Sequence, residues 1–313
     1  MDRMMWAYLI ELGSNMWSDF SEGSVEYPFQ ERVITEDDVW RETIDFLPAR
    51  GFNTVVIDLG DAVRYETHPE LAIPGAWSKE KLRGELEHMR SIGLEPIPKL
   101  NFSACHDAWM KQYSRMVSTP EYYKVCRDLI LEVAELFDTP AFFHLGMDEE
   151  SSGSQKWFRY TVIRKGELWW HDIYYLFDVC QQAGVRPWVW ADAGWRDPET
   201  YLKQMPKSVL QSNWFYERMR KNPDGTYEPK EYNYYLTLDR AGFEQVATCS
   251  TIFHPYNARQ TMELGKESLS PERLRGYMTA PWVFTRQEDR YGLLNDAQRF
   301  FFAKQAVYPE ETK

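Results

Sequence analysis

The sequence predicts a single (β/α)8 barrel, and three observations carry that prediction. Eight short apolar runs rich in β-forming residues recur along the chain, at 5–12, 53–59, 94–100, 141–146, 185–191, 208–213, 245–251 and 276–283. Helical periodicity fills the gaps between the early runs, and strands alternating with helices signal a parallel sheet. The length, 313 residues, suits one barrel over 1–313 better than two domains and allows a substantial core.

The first run begins almost at once. Met1-Asp2-Arg3-Met4-Met5-Trp6 leads into apolar residues as far as Ile10, with Glu11 behind them. That stretch is too short for a secretion signal and lacks the small residues of a cleavage site. No apolar run reaches the roughly 18 residues of a membrane span. The expectation is a cytoplasmic chain, or a secreted one if a leader has been removed.

Apolar residues then recur at three- and four-residue steps over 37–47, 78–92 and 120–137, predicting helices there. Thr35 precedes Glu36-Asp37-Asp38 and Ser78 precedes Lys79-Glu80-Lys81, each offering a capping side chain or an acidic first turn. Gly51, Gly93 and Gly184 stand between a helical stretch and the next apolar run, where a left-handed residue ends a helix. The later half is less regular. Only 198–205 separates the fifth and sixth runs, and a polar insert from Tyr216 to Glu231 carries the turn signal Asn222-Pro223-Asp224-Gly225. The insert is expected as a surface loop near the barrel mouth. Helical periodicity returns over 295–308, expected on the outside.

Composition narrows the partners. A net charge of −12 argues against a phosphate backbone as the natural ligand, because that would demand a basic face. Thirteen Trp, 19 Tyr and 17 Phe make a high aromatic content while mean hydropathy stays at −0.57; such rings either line a cleft that stacks on C–H faces of a sugar or fill the core, and about half of the Trp are expected in each role. The four cysteines, at 105, 126, 180 and 249, show no Cys-x-x-Cys spacing and are expected as free buried thiols.

The chemistry gathers at Ala141-Phe142-Phe143-His144-Leu145-Gly146-Met147-Asp148-Glu149-Glu150. A short apolar run bounded by Thr139-Pro140 reads as a buried strand, and the acidic cluster starts where it should stop. In a parallel barrel the C-terminal strand ends form the active-site mouth, so Asp148 and Glu149 are expected there. Trp188-Val189-Trp190-Ala191-Asp192 alternates at period two, putting Trp188, Trp190 and Asp192 on one side of a strand. Trp214 and Trp282 stand at comparable strand ends and are binding candidates.

The stretch 142–150 resembles the fourth-strand signature of glycoside hydrolase family 20, the β-N-acetylhexosaminidases, roughly His-hydrophobic-Gly-Gly-Asp-Glu. The resemblance extends upstream through 52–61, His68-Pro69-Glu70-Leu71, Gly75-Ala76-Trp77-Ser78 and 92–100 to Ser103-Ala104-Cys105-His106. It implies a retaining exo-glycosidase releasing terminal β-linked N-acetylhexosamine, GlcNAc or GalNAc, by substrate assistance: the 2-acetamido oxygen attacks the anomeric carbon to form an oxazolinium. Glu149 is then general acid and base, Asp148 orients the acetamido group, and His106 with Asp61 supports Glu149. Its pKa is expected to be raised, pushed up by Asp148. The same resemblance implies sugar contacts from Trp190, Asp192, Trp214, Tyr256 and Trp282, and needs no cofactor or metal. His144, inside the strand, is expected to pack or hydrogen-bond below the site. The implied partner is an amino-sugar glycoside, with no nucleic acid or membrane; a homodimer is left open.

The sequence departs from that pattern in three places. After the first run it offers Glu11, Asn15 and Asp19 instead of an arginine, so Asn15 becomes the hydroxyl-binding candidate. Trp282-Val283-Phe284 replaces Trp-x-Glu, and Met147 replaces the second glycine. Three other readings are weighed beside the first. A weak carbohydrate-binding barrel would not require an acid supported by histidine. A metal-dependent hydrolase would use His106, Asp107, His144 and Asp148, but no His-x-His or His-Glu-x-x-His spacing appears. A two-carboxylate glycosidase would need a group such as Asp192, Glu217 or Glu11 opposite the acid.

Overall fold

A computed structural model describes residues 4–22, 25 and 27–312. Eight parallel strands close into a barrel: β1 Met5–Glu11, β2 Thr54–Asp58, β3 Glu95–Lys99, β4 Phe142–His144, β5 Arg186–Trp190, β6 Leu210–Ser212, β7 Gln245–Cys249 and β8 Leu274–Thr279. Each of the eight apolar runs carries one strand, the last beginning two residues before its run, in sequence order around the barrel, and β1 closes against β8. Both strand faces are buried, which is why the runs read as continuous apolar stretches. On β1, Trp6, Tyr8 and Ile10 face outward, while Met5, Ala7 and Leu9 fill the barrel with Val56, Ile97, Phe142, Trp188 and Trp190.

The surrounding layer consists of α1 Asp37–Phe46, α2 Lys79–Ser91, α3 Pro120–Leu136, α4 Glu167–Gln182, α5 Ala193–Arg196, α6 Pro198–Gln204, α7 Asn233–Arg240, α8 Asn257–Ser268 and α9 Arg290–Val307. The three helices expected from periodicity end within a residue of where the sequence placed them. Ser78 accepts the Lys81 N–H as expected, and Gly51, Gly93 and Gly184 take positive φ. Thr35 does something else: its hydroxyl donates to the Leu12 carbonyl, and Glu36 begins α1 with no side-chain cap. The final helix starts five residues before the expected 295. The polar insert folds into a small antiparallel hairpin, Arg220–Lys221 against Tyr227–Glu228. Among the described residues no helix is long and apolar enough to cross a membrane, and all four cysteines are buried and free.

The uppermost inward layer of the sheet is ionic. Strand register aligns Glu11 with Asp58, Asp58 with Lys99 and Lys99 with His144. The Lys99 ammonium pairs with Asp58 and lies 3.9 Å from the Met16 sulfur, with every member of the layer buried. Neither oxygen of Glu11 has a hydrogen-bond partner. This layer is the floor beneath the site.

Candidate active site

Beyond β4 the chain makes a turn that few residues tolerate. Gly146, Met147 and Glu149 take φ of 72°, 76° and 54°. At Gly146 a Cβ would stand 2.0 Å from Asn101 Oδ1, so glycine is required by space as well as by angle. Met147 and Glu149 have no such excuse; a left-handed non-glycine residue costs on the order of 1 kcal/mol.

Each residue of the acidic triplet is tied by a different element. Asn101, two residues past β3, donates to Asp148 Oδ1 at 2.8 Å while its Oδ1 accepts from Met147 N at 3.2 Å. The Glu150 carboxylate accepts from Ala104 N and from Arg164 Nε and Nη2 at 3.2, 2.8 and 2.7 Å, binding the turn to the loop that carries His106. The Glu149 N–H donates to Asp192 Oδ2, just past β5, at 2.9 Å. The Glu149 side chain is left free to project, 42% exposed.

His106 Nε2 stands 3.1 Å from Glu149 Oε2 and 3.3 Å from Asp148 Oδ2. One imidazole N–H therefore serves two adjacent carboxylates. The consequence for charge corrects the sequence expectation. The hydrogen bond from His106 holds Glu149 below the ordinary glutamate range, outweighing its burial. Burial disfavours the imidazolium, yet Asp148 and Glu149 carry His106 up to about 8. In the free chain at neutral pH the proton of this pair rests on the imidazole. Burial, with Asp148 adding to it, pushes Asp192 up to about 7.

The cavity above this turn has a volume of about 430 Å³, within the range of small-ligand pockets. Trp190, Trp214 and Trp282 all line it, as expected, together with Trp17, Tyr27 and Trp157. The Trp282 indole N–H donates to Tyr216 Oη at 2.9 Å, and Tyr216 stacks between Trp214 and Phe253 at centroid distances of 5.3 and 5.2 Å. Asp148 and Glu149 are the only carboxylates among the described residues lining it.

The structure places the other predicted residues elsewhere. Asp61 is buried and bonded to Asn15 Nδ2 at 2.7 Å; its Oδ1 and His106 Nδ1 have no hydrogen-bond partner, so the direct Asp61–His106 link implied by the resemblance is not formed. Burial pushes Asp61 up to about 7, against the Asn15 bond. Asn15 also exchanges hydrogen bonds with Gln30 and does not line the cavity. Tyr256 is 64% exposed outside the cavity, on the surface where α8 begins. The lining tyrosines among the described residues are Tyr27 and Tyr216, and for Tyr216 the sequence did carry a signal: Trp214-Phe215-Tyr216 continues the period-two alternation past β6. Asn101, also unforeseen, lies one alternation beyond the inward Lys99.

His144 sits in the floor as expected, its Nδ1 accepting from Gly146 N at 3.1 Å, with burial lowering its pKa well below the histidine norm. Asp107 pairs with Arg115, so the four residues of the metal-hydrolase reading do not converge. Among the described residues, His106, Asp148 and Glu149 could meet on a cation, through atoms that already lie in contact with one another.

The sequence matches no protein-family model and no curated protein. Its fold resembles solved structures. One is a family 20 exo-β-N-acetylglucosaminidase from Vibrio harveyi in complex with N-acetylglucosamine: 14% identity over 99% of this chain and 57% of that one, TM-score 0.63. A β-N-acetylhexosaminidase from Bacteroides fragilis is similar at 12% identity, covering 99% of this chain and 71% of that one, TM-score 0.64. Dispersin B, 11% identical, covers 96% of this chain and 99% of its own, with a TM-score of 0.60. The chain spans little more than half the length of the Vibrio protein. At these identities the likeness is one of fold.

Proposed function

We propose that this chain is a retaining exo-β-N-acetylhexosaminidase of family 20 type, hydrolysing terminal non-reducing β-linked GlcNAc or GalNAc by substrate-assisted catalysis. The observation that carries the reading is the pairing of Asp148 with Glu149. The two carboxylates facing the cavity are neighbours on one turn sharing one imidazole, and no third carboxylate of the described lining stands across from them. A two-carboxylate retaining enzyme needs its acid and nucleophile on opposite sides of the sugar, about 5 Å apart. With that position empty of carboxylate, the nucleophile is the acetamido oxygen of the substrate.

Roles follow from placement. Glu149, half exposed, protonates the departing glycosidic oxygen; the proton reaches it from His106 across the 3.1 Å bond. Asp148, fixed by Asn101, accepts the acetamido N–H and offsets the positive charge of the oxazolinium. Water then attacks the anomeric carbon and displaces the acetamido oxygen, Glu149 takes the water's proton, and two inversions leave the anomeric configuration retained. Trp190, Trp214 and Trp282 wall the sugar, and the Tyr216 hydroxyl, held by Trp282, supplies a polar contact. The test is nitrophenol release from aryl β-N-acetylglucosaminide, β-N-acetylgalactosaminide and β-glucoside by the wild type and by Glu149→Gln. Turnover confined to the acetamido sugars and lost in the variant is expected. Equal turnover of the glucoside overturns the mechanism, and silence on all three favours a binding role.

A further inference from the structure

Asp192 does not line the cavity above Glu149. It lies behind that residue, buried, one position before α5. Its two oxygens face two different partners: Oδ2 accepts the Glu149 backbone N–H at 2.9 Å, and Oδ1 faces the Trp214 indole N–H at 3.4 Å. Glu149 is the residue of the turn that needs such a tie, because its backbone holds a left-handed conformation at φ 54° without being glycine. The neighbouring tethers do not substitute for it, since Asn101 and Arg164 act on Met147, Asp148 and Glu150.

We propose that Asp192 is a positioning residue: it fixes the Glu149 backbone in its left-handed conformation and joins it to the Trp214 wall, so that acid and sugar wall keep one geometry. This departs from the sugar contact that sequence resemblance implies for Asp192, and it rests on the function proposed above. The groups that face Asp192 are Asp148 and Glu149 from the turn after β4 and Trp214 from the loop after β6; its charge also helps to raise the neutral phenols of Tyr201 on α6 and Tyr234 on α7. Asp192 is absent from the lining of the cavity above Glu149 and instead lines a second cavity of about 510 Å³, which Glu149 also borders.

The experiment compares wild type, Asp192→Ala, Asp192→Asn and Glu149→Gln on an aryl β-N-acetylglucosaminide, with thermal melts to establish folding. Asp192→Ala is expected to lower kcat about 100-fold while KM stays within about threefold, the pattern of a misplaced reacting group. Asp192→Asn, whose amide oxygen still accepts the Glu149 N–H, should recover kcat to within about tenfold of wild type. A readout independent of turnover is hydrogen exchange at the Glu149 amide, protected in wild type and Asp192→Asn and fast in Asp192→Ala. Unchanged kcat and protection in Asp192→Ala, or a rise in KM shared by both variants, overturns the inference. Wild-type turnover unaffected by Glu149→Gln overturns the functional reading instead, and the exchange result then judges Asp192 alone.

Discussion

Two clusters of carboxylates sit a few residues apart along the barrel axis, and they behave oppositely. Glu11 and Asp58 are the last residues of β1 and β2, pointing inward and buried, with Lys99 paired to Asp58. Asp148 and Glu149 lie four and five residues beyond the end of β4, where the chain has already turned out to the mouth. In the first cluster burial, with Asp58 adding to it, raises Glu11 well above the glutamate range, and burial outweighs Lys99 to raise Asp58. In the second, an imidazole within hydrogen-bond reach lowers Glu149 despite its burial. The same residue types become buried floor or cavity wall according to how far past the strand end they fall and whether an imidazole faces them.

The comparison can be broken most forcefully at the mouth. Glu149→Gln should lower kcat by about 10²- to 10⁴-fold with little change in melting temperature, read by steady-state kinetics and calorimetry. The matching cut in the floor should do the reverse. Lys99→Met leaves Asp58 buried without its cation and is expected to cost about 3–5 kcal/mol of stability in denaturant titration.

The proton on His106 sharpens the contrast through pH. With its folded pKa raised to about 8, its contribution to stability is full below the unfolded value and is lost as pH rises through about 8. Activity should fall along the same limb, because the imidazole that resupplies Glu149 has lost its proton; a pH profile of kcat/KM checks this. Glu11 works with the same sign, in a window that opens at lower pH. A carboxyl whose folded pKa is raised favours folding at low pH and weakens it progressively as pH rises through the window above its unfolded value. Glu11→Gln should therefore stabilise by about 1 kcal/mol at pH 7 and hardly at all near pH 4, seen as diverging melts at the two pH values. The smallest effect belongs to Tyr256→Ala, which removes a ring exposed outside the cavity and should change both kcat/KM and stability by less than about 0.5 kcal/mol.

These contrasts also mark what the sequence could say. All eight strands were legible, because a parallel barrel buries both strand faces and writes itself as apolar runs. The first three helices were legible from periodicity, and the glycines between helix and strand were too. The later half was harder: a hairpin of two-residue strands carries no periodicity, and the irregular path from 213 to 257 decides whether Tyr216 or Tyr256 reaches the cavity. Tyr216 continues an alternation and arrives; Tyr256 opens a helix and faces outward. Motif matching brought Asp148, Glu149 and His106 together correctly as neighbours, but it gave Asp61 a bond to His106 that Asn15 takes. It also gave Glu149 a raised pKa, because the effect of an imidazole at 3.1 Å depends on geometry that spacing does not encode.

The central claim is that the acetamido oxygen of the substrate is the nucleophile, and the most direct measurement replaces its methyl hydrogens with fluorine. Aryl β-glucosaminides carrying acetyl, fluoroacetyl, difluoroacetyl and trifluoroacetyl groups offer an oxygen of falling nucleophilicity in a nearly constant shape. The account predicts that kcat/KM drops steeply and monotonically with each fluorine. A flat series would place the nucleophile on the protein and contradict it.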